Sequence, residues 1–388
     1  MLTSLQEQTL GQIVTNALDV AFPAAQIEVW VEGVSVFSRA FGYLDSQTRK
    51  HQAQADTRFD LASLSMIFTT AAFMTLVDDG MVAIDQPVRD VLPEFSGLRK
   101  IAAHPRRDAP GELVEFYPRG ADLVNTRKVT FRHLLAHNSG LPAWLPLHLV
   151  ESEMRAAGKP ATHIDYTLRD MVTGTQFAYP PESRVVFSDV GYLILGFAIE
   201  RLGRKPLRQV LRERVVDPLG MLSVCFGSLP CDDVAPTEYD EARGRRLCGE
   251  AHDQNVASLG GVGGHSGLFA HARDVARLGE MFRTGGAPLL NARTVADMTR
   301  QQSSEDSVRR GLGFALHSDN ELASSFPFSD RAYGHLGFTG TSLWVDPNRA
   351  LVVACLTNHA YFGNKNDDAM NTFRSTLHRA LAAMIPER

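Results

Sequence analysis

The stretch that most narrows the fold is Ile67–Val77, where every residue is hydrophobic or threonine. A helix with no polar face is one that other parts of the chain must cover. The sequence therefore predicts a buried helix over Ser63–Asp79, wrapped by a protein large enough to enclose it. With 388 residues, 44% of them hydrophobic and 21% charged, the chain has the material for such a core. Ahead of the run stand Asp60, Leu61, Ala62, Ser63, Leu64, Ser65 and Met66, so a serine hydroxyl is placed where this helix begins.

Residues 2–20 carry apolar side chains at helical spacing (Leu5, Leu10, Ile13, Val14, Leu18). Ile27–Phe37 and Arg39–Leu44 read as strands turning at Gly33 or just after it. Residues 100–128 read as loop, and Thr130–His137 as a helix stopped by Gly140 and Pro142. Residues 143–180 read as an irregular helical excursion. Val190–Leu202, Pro206–Val215 and Ala272–Arg283 read as helices, and 225–257 as a loop-rich insertion. Gly311–His317, His335–Val345 and Leu351–Thr357 have strand composition, and Ala369–Ala383 closes the chain as a helix. Strands thus cluster at both ends with helices between them, and no internal repeat or low-complexity tract is present.

Four further segments complete a pattern. Residues 129–142 read VTFRHLLAHNSGLP, residues 181–197 PESRVVFSDVGYLILGF, residues 259–269 LGGVGGHSGLF and residues 334–346 GHLGFTGTSLWVD. In this order they resemble the serine β-lactamase and penicillin-binding-protein-like family, including its class C and esterase-type members, over roughly residues 20–384. The resemblance implies an α/β (α+β) fold of the penicillin-binding transpeptidase type. An antiparallel sheet flanked by helices would carry an inserted, mostly helical subdomain. Residues 1–388 would form one domain, with 1–64 and 306–388 as the sheet part and 65–305 as the insertion. The active site would lie in the groove between the two parts.

The family carries S-x-x-K where this chain has Ser63-Leu64-Ser65-Met66. Residues three apart on a helix are neighbours, so the lysine normally assists the serine's loss of its proton. A thioether accepts no such proton. The family's Y-S-D or Y-x-N triplet is here Phe187-Ser188-Asp189, and phenylalanine lacks the hydroxyl that shuttles protons. Both changes roughly keep side-chain volume, the kind a packed site tolerates best. By resemblance the site residues are Ser63, Met66, Phe187, Asp189 and His335 for the chemistry, with Ser188, Gly337 and Phe338 toward the substrate. The N–H groups of Ser63 and Phe338 would form the oxyanion hole. His335 opens the H-x-G triplet that replaces K-T-G, and is read as a substrate or internal contact, with a base as the alternative.

Other features are read more plainly. His133 and His137 are four apart, a metal-pair spacing, but no glutamate lies between them and they suit a helix end. Cys225, Cys231, Cys248 and His252 match no paired-ligand motif, so free thiols are expected and no metal or cofactor. The glycines of Gly260–Gly264 lack the lysine of a phosphate loop and read as a tight loop beside the groove. Tyr192 reads as helix core, Trp144 and Trp344 as core or groove wall. Ser65 has Phe68, not lysine, three residues on.

A net charge of −5 excludes a general nucleic-acid surface, and the cluster around Arg243–Arg246 reads as a solvated loop. No signal peptide or membrane span is read, which suggests a cytoplasmic protein. The sequence carries no signal for oligomeric state. Two functions compete: a serine acyl hydrolase acting weakly on a small ester, amide or peptide, or a pseudoenzyme that binds such a ligand or a protein. Natural divergence and deliberate substitution at Met66 and Phe187 would leave the same sequence.

Overall fold

The computed structural model describes residues 1–106, 109, 111–115, 123–241, 243–320 and 325–388, with residues 364 and 365 described by backbone alone. Helix α1 (Ser4–Ala17) starts at a reciprocal cap. The Thr3 hydroxyl accepts from the Gln6 N–H at 3.3 Å, and the Gln6 side chain accepts from the Thr3 N–H at 2.8 Å. Strands β1 (Ala24–Val31) and β2 (Val34–Gly42) follow as a hairpin. Helix α2 (Ser65–Asp78) contains the run of hydrophobic residues and threonines, and it is buried from Ser65 to Leu76. Helix α3 (Asp189–Gly203) packs against it, and α4 (Ala272–Arg283) leads back to the sheet. The remaining strands are β3 (Ser303–Glu305), β4 (Val308–Arg310), β5 (Ala315–Leu316), β6 (Tyr333–Leu336), β7 (Ser342–Asp346) and β8 (Leu351–Thr357), followed by α5 (Asp367–Met384).

These strands form one antiparallel sheet in the order β3-β4-β5-β6-β7-β8-β1-β2. Strand β8 is central and wholly buried, and its alternating side chains serve two cores because successive residues face opposite sides. Leu351, Val353 and Cys355 join the cluster built with α1 and α5, including Leu10, Val14, Phe373 and Leu377. Val352, Ala354 and Leu356 join the larger cluster that holds α2 and α3. The antiparallel sheet with flanking helices is the architecture implied by the sequence. Helix α4, inside the 65–305 stretch, nevertheless packs on β1, β7 and β8, so that stretch is not confined to the helical side.

Three strand readings change. The first two strands are Ala24–Val31 and Val34–Gly42 rather than Ile27–Phe37 and Arg39–Leu44, because the chain already reverses at Glu32 and Gly33. His335–Val345 is not continuous: β6 and β7 form a hairpin reversing at Gly337–Thr341, closed by Gly337 N–H to the Thr341 carbonyl at 2.7 Å. Gly311–His317 yields only β5, because residues 311–314 turn and the Gly311 N–H bonds the Phe314 carbonyl at 3.0 Å. Period-2 composition marks extended residues but not where glycines fold them back. Of the stretch 100–128, residues 107, 108, 110 and 116–122 lie outside the described residues. The rest contains short strand pairs, Leu98–Lys100 with Leu123–Asn125 and His104–Pro105 with Leu113–Val114.

Candidate active site

Ser63 is delivered by a tight reversal. The short strand Phe59–Asp60 pairs with Leu268–Ala270 and ends at Asp60. One Asp60 carboxylate oxygen accepts from the Ala62 N–H at 2.8 Å, the other from the His252 N–H at 2.7 Å. Burial raises the Asp60 pKa, and these two N–H donors work against that rise. Ala62 has φ +46°, a left-handed conformation that an alanine adopts at a cost of about 1–3 kcal/mol. A 3₁₀ turn, Ala62–Leu64, then leads into α2. Ser63 borders the groove. Ser65 is fully buried and its hydroxyl accepts from the Leu268 N–H at 3.3 Å.

The β6–β7 hairpin forms the facing wall, and two threonines staple it to the Ser63 turn. The Thr339 hydroxyl donates to the Asp60 carbonyl at 2.6 Å, and the Thr341 hydroxyl to the Leu61 carbonyl at 2.9 Å. The approach is so close that a Cβ on Gly337 would lie 2.1 Å from Thr341 Oγ1 and 2.3 Å from the Leu61 carbonyl oxygen. That is the physical need for glycine at the end of the H-x-G triplet. Phe338 stands at the mouth, with its ring 5.2 Å from that of His252.

His335 Nδ1 lies 2.8 Å from the Leu336 carbonyl. A carbonyl only accepts, so Nδ1 carries the proton and Nε2 presents a lone pair. Nε2 is buried with no hydrogen-bond partner among the described residues. Burial, and secondarily the Arg310 charge, lower the His335 pKa to about 3. Phe187 packs between two imidazoles, 4.6 Å from the His137 ring and 5.8 Å from that of His335. His137 Nδ1 accepts from the Ser188 N–H at 3.0 Å, and burial holds this ring neutral too. The Arg310 guanidinium lies 5.6 Å from the Phe187 ring centroid.

The groove encloses about 640 Å³. Of the residues read from the sequence, Ser63, Phe187, His335, Gly337 and Phe338 border it together. Met66 does not: it is fully buried in the α2–α3 core. Ser188 caps α3, where its hydroxyl accepts from the Gly191 N–H at 3.1 Å and donates to the Pro142 carbonyl at 2.6 Å. Asp189 is not among the residues bordering the groove; it is buried in a cluster with Asp253 and His265, their potential ligand atoms all within 4.8 Å of one another. It is the only such convergence of His, Cys, Asp or Glu among the described residues.

Sequence reasoning missed Arg310, Asp60 and His252. Asp60 was legible as an acid two residues before a left-handed turn only once that turn was known. Arg310 gave one signal, a pair of long cations (Arg309-Arg310) just ahead of a Gly-Leu-Gly turn.

The discounted features have ordinary roles. His133 contacts Glu182 through Nε2 at 2.9 Å and the Thr130 N–H through Nδ1 at 3.1 Å, while His137 faces Phe187. The Cys248 thiol donates to the carbonyls of Cys231 and Val234, at 3.8 Å each. The Gly260–Gly264 loop presses on α3, where a Cβ on Gly264 would lie 2.0 Å from the Tyr192 carbonyl oxygen. The Tyr192 hydroxyl is buried against Thr70 Oγ1 at 3.0 Å. Trp144 is core, whereas Trp344 borders the groove. Arg243 and Arg245 both pair with Glu250 at the surface. No helix among the described residues is long and apolar enough to cross a membrane.

A family model described as Beta-lactamase matches residues 10–375. A protein of Salmonella gallinarum named putative D-alanyl-D-alanine carboxypeptidase is 29% identical over 377 residues, covering 90% of this chain and 81% of that protein. Two solved structures share the fold. EstCE1, described as a hydrolase with promiscuous acyltransferase activity, superposes with a TM-score of 0.69 at 21% identity, over 96% of this chain and all of that one. The octameric penicillin-binding protein homologue from Pyrococcus abyssi gives a TM-score of 0.67 at 20% identity, over all of this chain and 80% of that one.

Proposed function

The chain belongs to the beta-lactamase family, and from that premise we propose that Ser63 is the nucleophile of an acyl-hydrolase site that binds a small ester, amide or peptide and turns it over slowly. The observation that carries this reading is a split in the site. The nucleophile and the turn bearing the second oxyanion donor are stapled together by Thr339 and Thr341. The two positions expected to handle protons are a buried thioether, Met66, and a phenyl ring, Phe187.

In the proposed reaction the Ser63 hydroxyl oxygen attacks the carbonyl carbon, and the N–H groups of Ser63 and Phe338 receive the negative charge. Each oxyanion donor is typically worth about 10²–10³ in rate. We assign the proton leaving Ser63 to His335 Nε2, on a residue that borders the groove and has no partner for that nitrogen among the described residues; the proton then leaves with the departing alcohol or amine as the acyl-enzyme forms, and burial makes the nitrogen a weak base near neutral pH. Loss of a well-matched general base typically costs about 10²–10⁴, so acylation continues far below the rate of a relative that keeps its lysine and tyrosine. The carboxypeptidase activity in the name of the Salmonella protein and the hydrolase and acyltransferase activity in that of EstCE1 are both compatible with this site.

A second reading, a binding module without turnover, is favoured by the same histidine, because a base titrating near pH 3 leaves Ser63 without an effective acceptor at neutral pH. Intact-protein mass spectrometry after incubation with a fluorophosphonate, and separately with a penicillin, decides between them. The hydrolase reading expects a stoichiometric adduct that Ser63→Ala abolishes. A folded protein that forms no adduct is a binding module.

A further inference from the structure

The segment from Leu229 to Gly249 leaves and returns at one point. The Leu229 N–H bonds the Gly249 carbonyl at 2.8 Å, and the Thr237 N–H bonds the Leu247 carbonyl at 2.9 Å. The backbones meet so closely that a Cβ on Gly249 would lie 2.0 Å from the Leu229 carbonyl oxygen. Cys231 and Cys248 stand beside this meeting point. The Cys248 sulfur lies 3.8 Å from the Cys231 carbonyl oxygen, and the two thiols are in hydrogen-bond contact. Both are free, Cys231 exposed and Cys248 half-buried, so a solvent-borne oxidant reaches the Cys231 sulfur first. The other two cysteines are not placed this way. Cys225 sits in a short strand opposite Phe269, and Cys355 is fully buried in β8.

The pair flanks the turn that delivers Ser63. Cys231 opens a turn whose Asp233 carbonyl accepts from the Arg58 N–H at 2.8 Å, just ahead of the strand Phe59–Asp60. Shortly after Cys248, the His252 N–H holds the Asp60 carboxylate, and the His252 ring stacks on Phe338. A bond between the two sulfurs would join the two segments that brace this turn from outside. It would span 17 positions of the chain.

We propose that Cys231 and Cys248 form a redox-modification site, a dithiol that a small-molecule disulfide such as oxidised glutathione converts to an intramolecular disulfide fastening the 231–248 loop. This goes beyond the acyl-hydrolase reading and does not depend on Ser63 being reactive. The Cys231 thiolate attacks one sulfur of oxidised glutathione, the S–S bond breaks, and one glutathione leaves and takes up the proton that Cys231 gave to solvent. The Cys248 thiolate then attacks the Cys231 sulfur of the mixed disulfide, and the second glutathione leaves and takes up the proton from Cys248. Two protein thiols are oxidised, and one glutathione disulfide is reduced to two thiols. The order follows from the site. Burial first, then the hydrogen bond and charge of Cys231, hold the Cys248 pKa high. The first step removes that charge, so Cys248 loses its proton more readily once Cys231 has reacted.

The test is mass spectrometry with peptide mapping of the full chain equilibrated in glutathione redox buffers, native and in urea. The native protein is expected to lose two hydrogens and to yield a crosslink between Cys231 and Cys248. Closure should need about tenfold less oxidised glutathione, or lower still, than in urea. Oxidation should raise the melting temperature by about 3 °C. Cys248→Ser should keep one glutathione on Cys231. No crosslink, a crosslink through Cys225 or Cys355, or a wild type that stops at the glutathione adduct overturns the proposal. So does closure as easy in urea as in the native protein, an unchanged melting temperature, or no adduct on Cys231 in Cys248→Ser. If Cys248→Ser fails to fold, the wild-type crosslink and its urea comparison decide alone. Fluorophosphonate labelling is read separately: its failure removes the hydrolase reading and leaves the disulfide test standing.

Discussion

The rings of Phe187 and His335 lie side by side in the groove wall, centroids 5.8 Å apart and planes tilted by 46°. The position that normally bears a proton-shuttling hydroxyl thus lies against a histidine whose free nitrogen already points to unpartnered space. A tyrosine here would put a donor within the same wall.

Restoring the lost proton chemistry should therefore be cooperative. Met66→Lys with Phe187→Tyr should raise Ser63-dependent hydrolysis of a p-nitrophenyl ester by about 10²-fold, more than either change alone. Met66→Lys by itself should lower stability by about 1–3 kcal/mol, because Met66 is fully buried and an unpartnered ammonium would replace it. Steady-state kinetics and urea unfolding read the two effects. No gain in the double variant removes the account of a disarmed hydrolase.

Acid should destabilise the fold through its neutral histidines. In the unfolded chain His335 titrates near its ordinary 6.5, and in the fold near 3. Below pH 6.5 the unfolded state takes up a proton that the fold refuses, so stability is complete above that pH and drains away as pH falls toward 3. At pH 5 this one group costs about 2 kcal/mol, and His137 shifts in the same direction. Unfolding midpoints at pH 7 and pH 5 should differ less in His335→Gln. An identical difference in both proteins would mean that His335 is not held neutral.

Gly337→Ala should push the hairpin off the Ser63 turn, since the new Cβ would collide with Thr341 Oγ1 and the Leu61 carbonyl. Fluorophosphonate labelling should drop about tenfold or more as the Phe338 N–H leaves its place. A variant that labels at the wild-type rate would show that this close approach does not set the oxyanion donors.

Arg310→Met should leave the ligand-free protein as stable as the wild type or more so, by about 1 kcal/mol, because it replaces a desolvated unpaired cation with an apolar side chain of similar length. The melting temperature without ligand checks this. A marked loss of stability would mean that the buried Nε of Arg310, without a hydrogen bond in this structure, is not a net cost to the fold.

Much of this architecture was legible because its signals are local. The run of hydrophobic residues and threonines at Ile67–Val77 pointed to a buried helix, β-branched content marked β8, and the motif residues named one wall of the groove. What stayed hidden depends on contacts between distant segments. The break in 335–345 follows from Thr339 and Thr341 bonding to residues 60 and 61. Asp189 and Ser188 were expected to serve the ligand. The turn into α3 instead spends Ser188 as a cap and buries Asp189 beside Asp253 and His265. Arg310 was illegible because nothing in a sequence marks which arginine will lack a carboxylate.

The place of β1 between β8 and β2 has a consequence for how this chain comes into being. The Ala24 N–H bonds the Asn358 side chain, 334 residues away, and β1 finds one of its two strand partners only in β8. At ~5–20 residues per second, a ribosome needs on the order of tens of seconds to make the interval. Until then the β1–β2 hairpin offers a long unpaired edge to other nascent chains. The groove itself closes only when its last-made wall docks on the turn at Ser63. Assembly of this protein is therefore a late, non-local event, and yield in a cell should depend more on chaperone protection of that edge than on the stability of the finished fold.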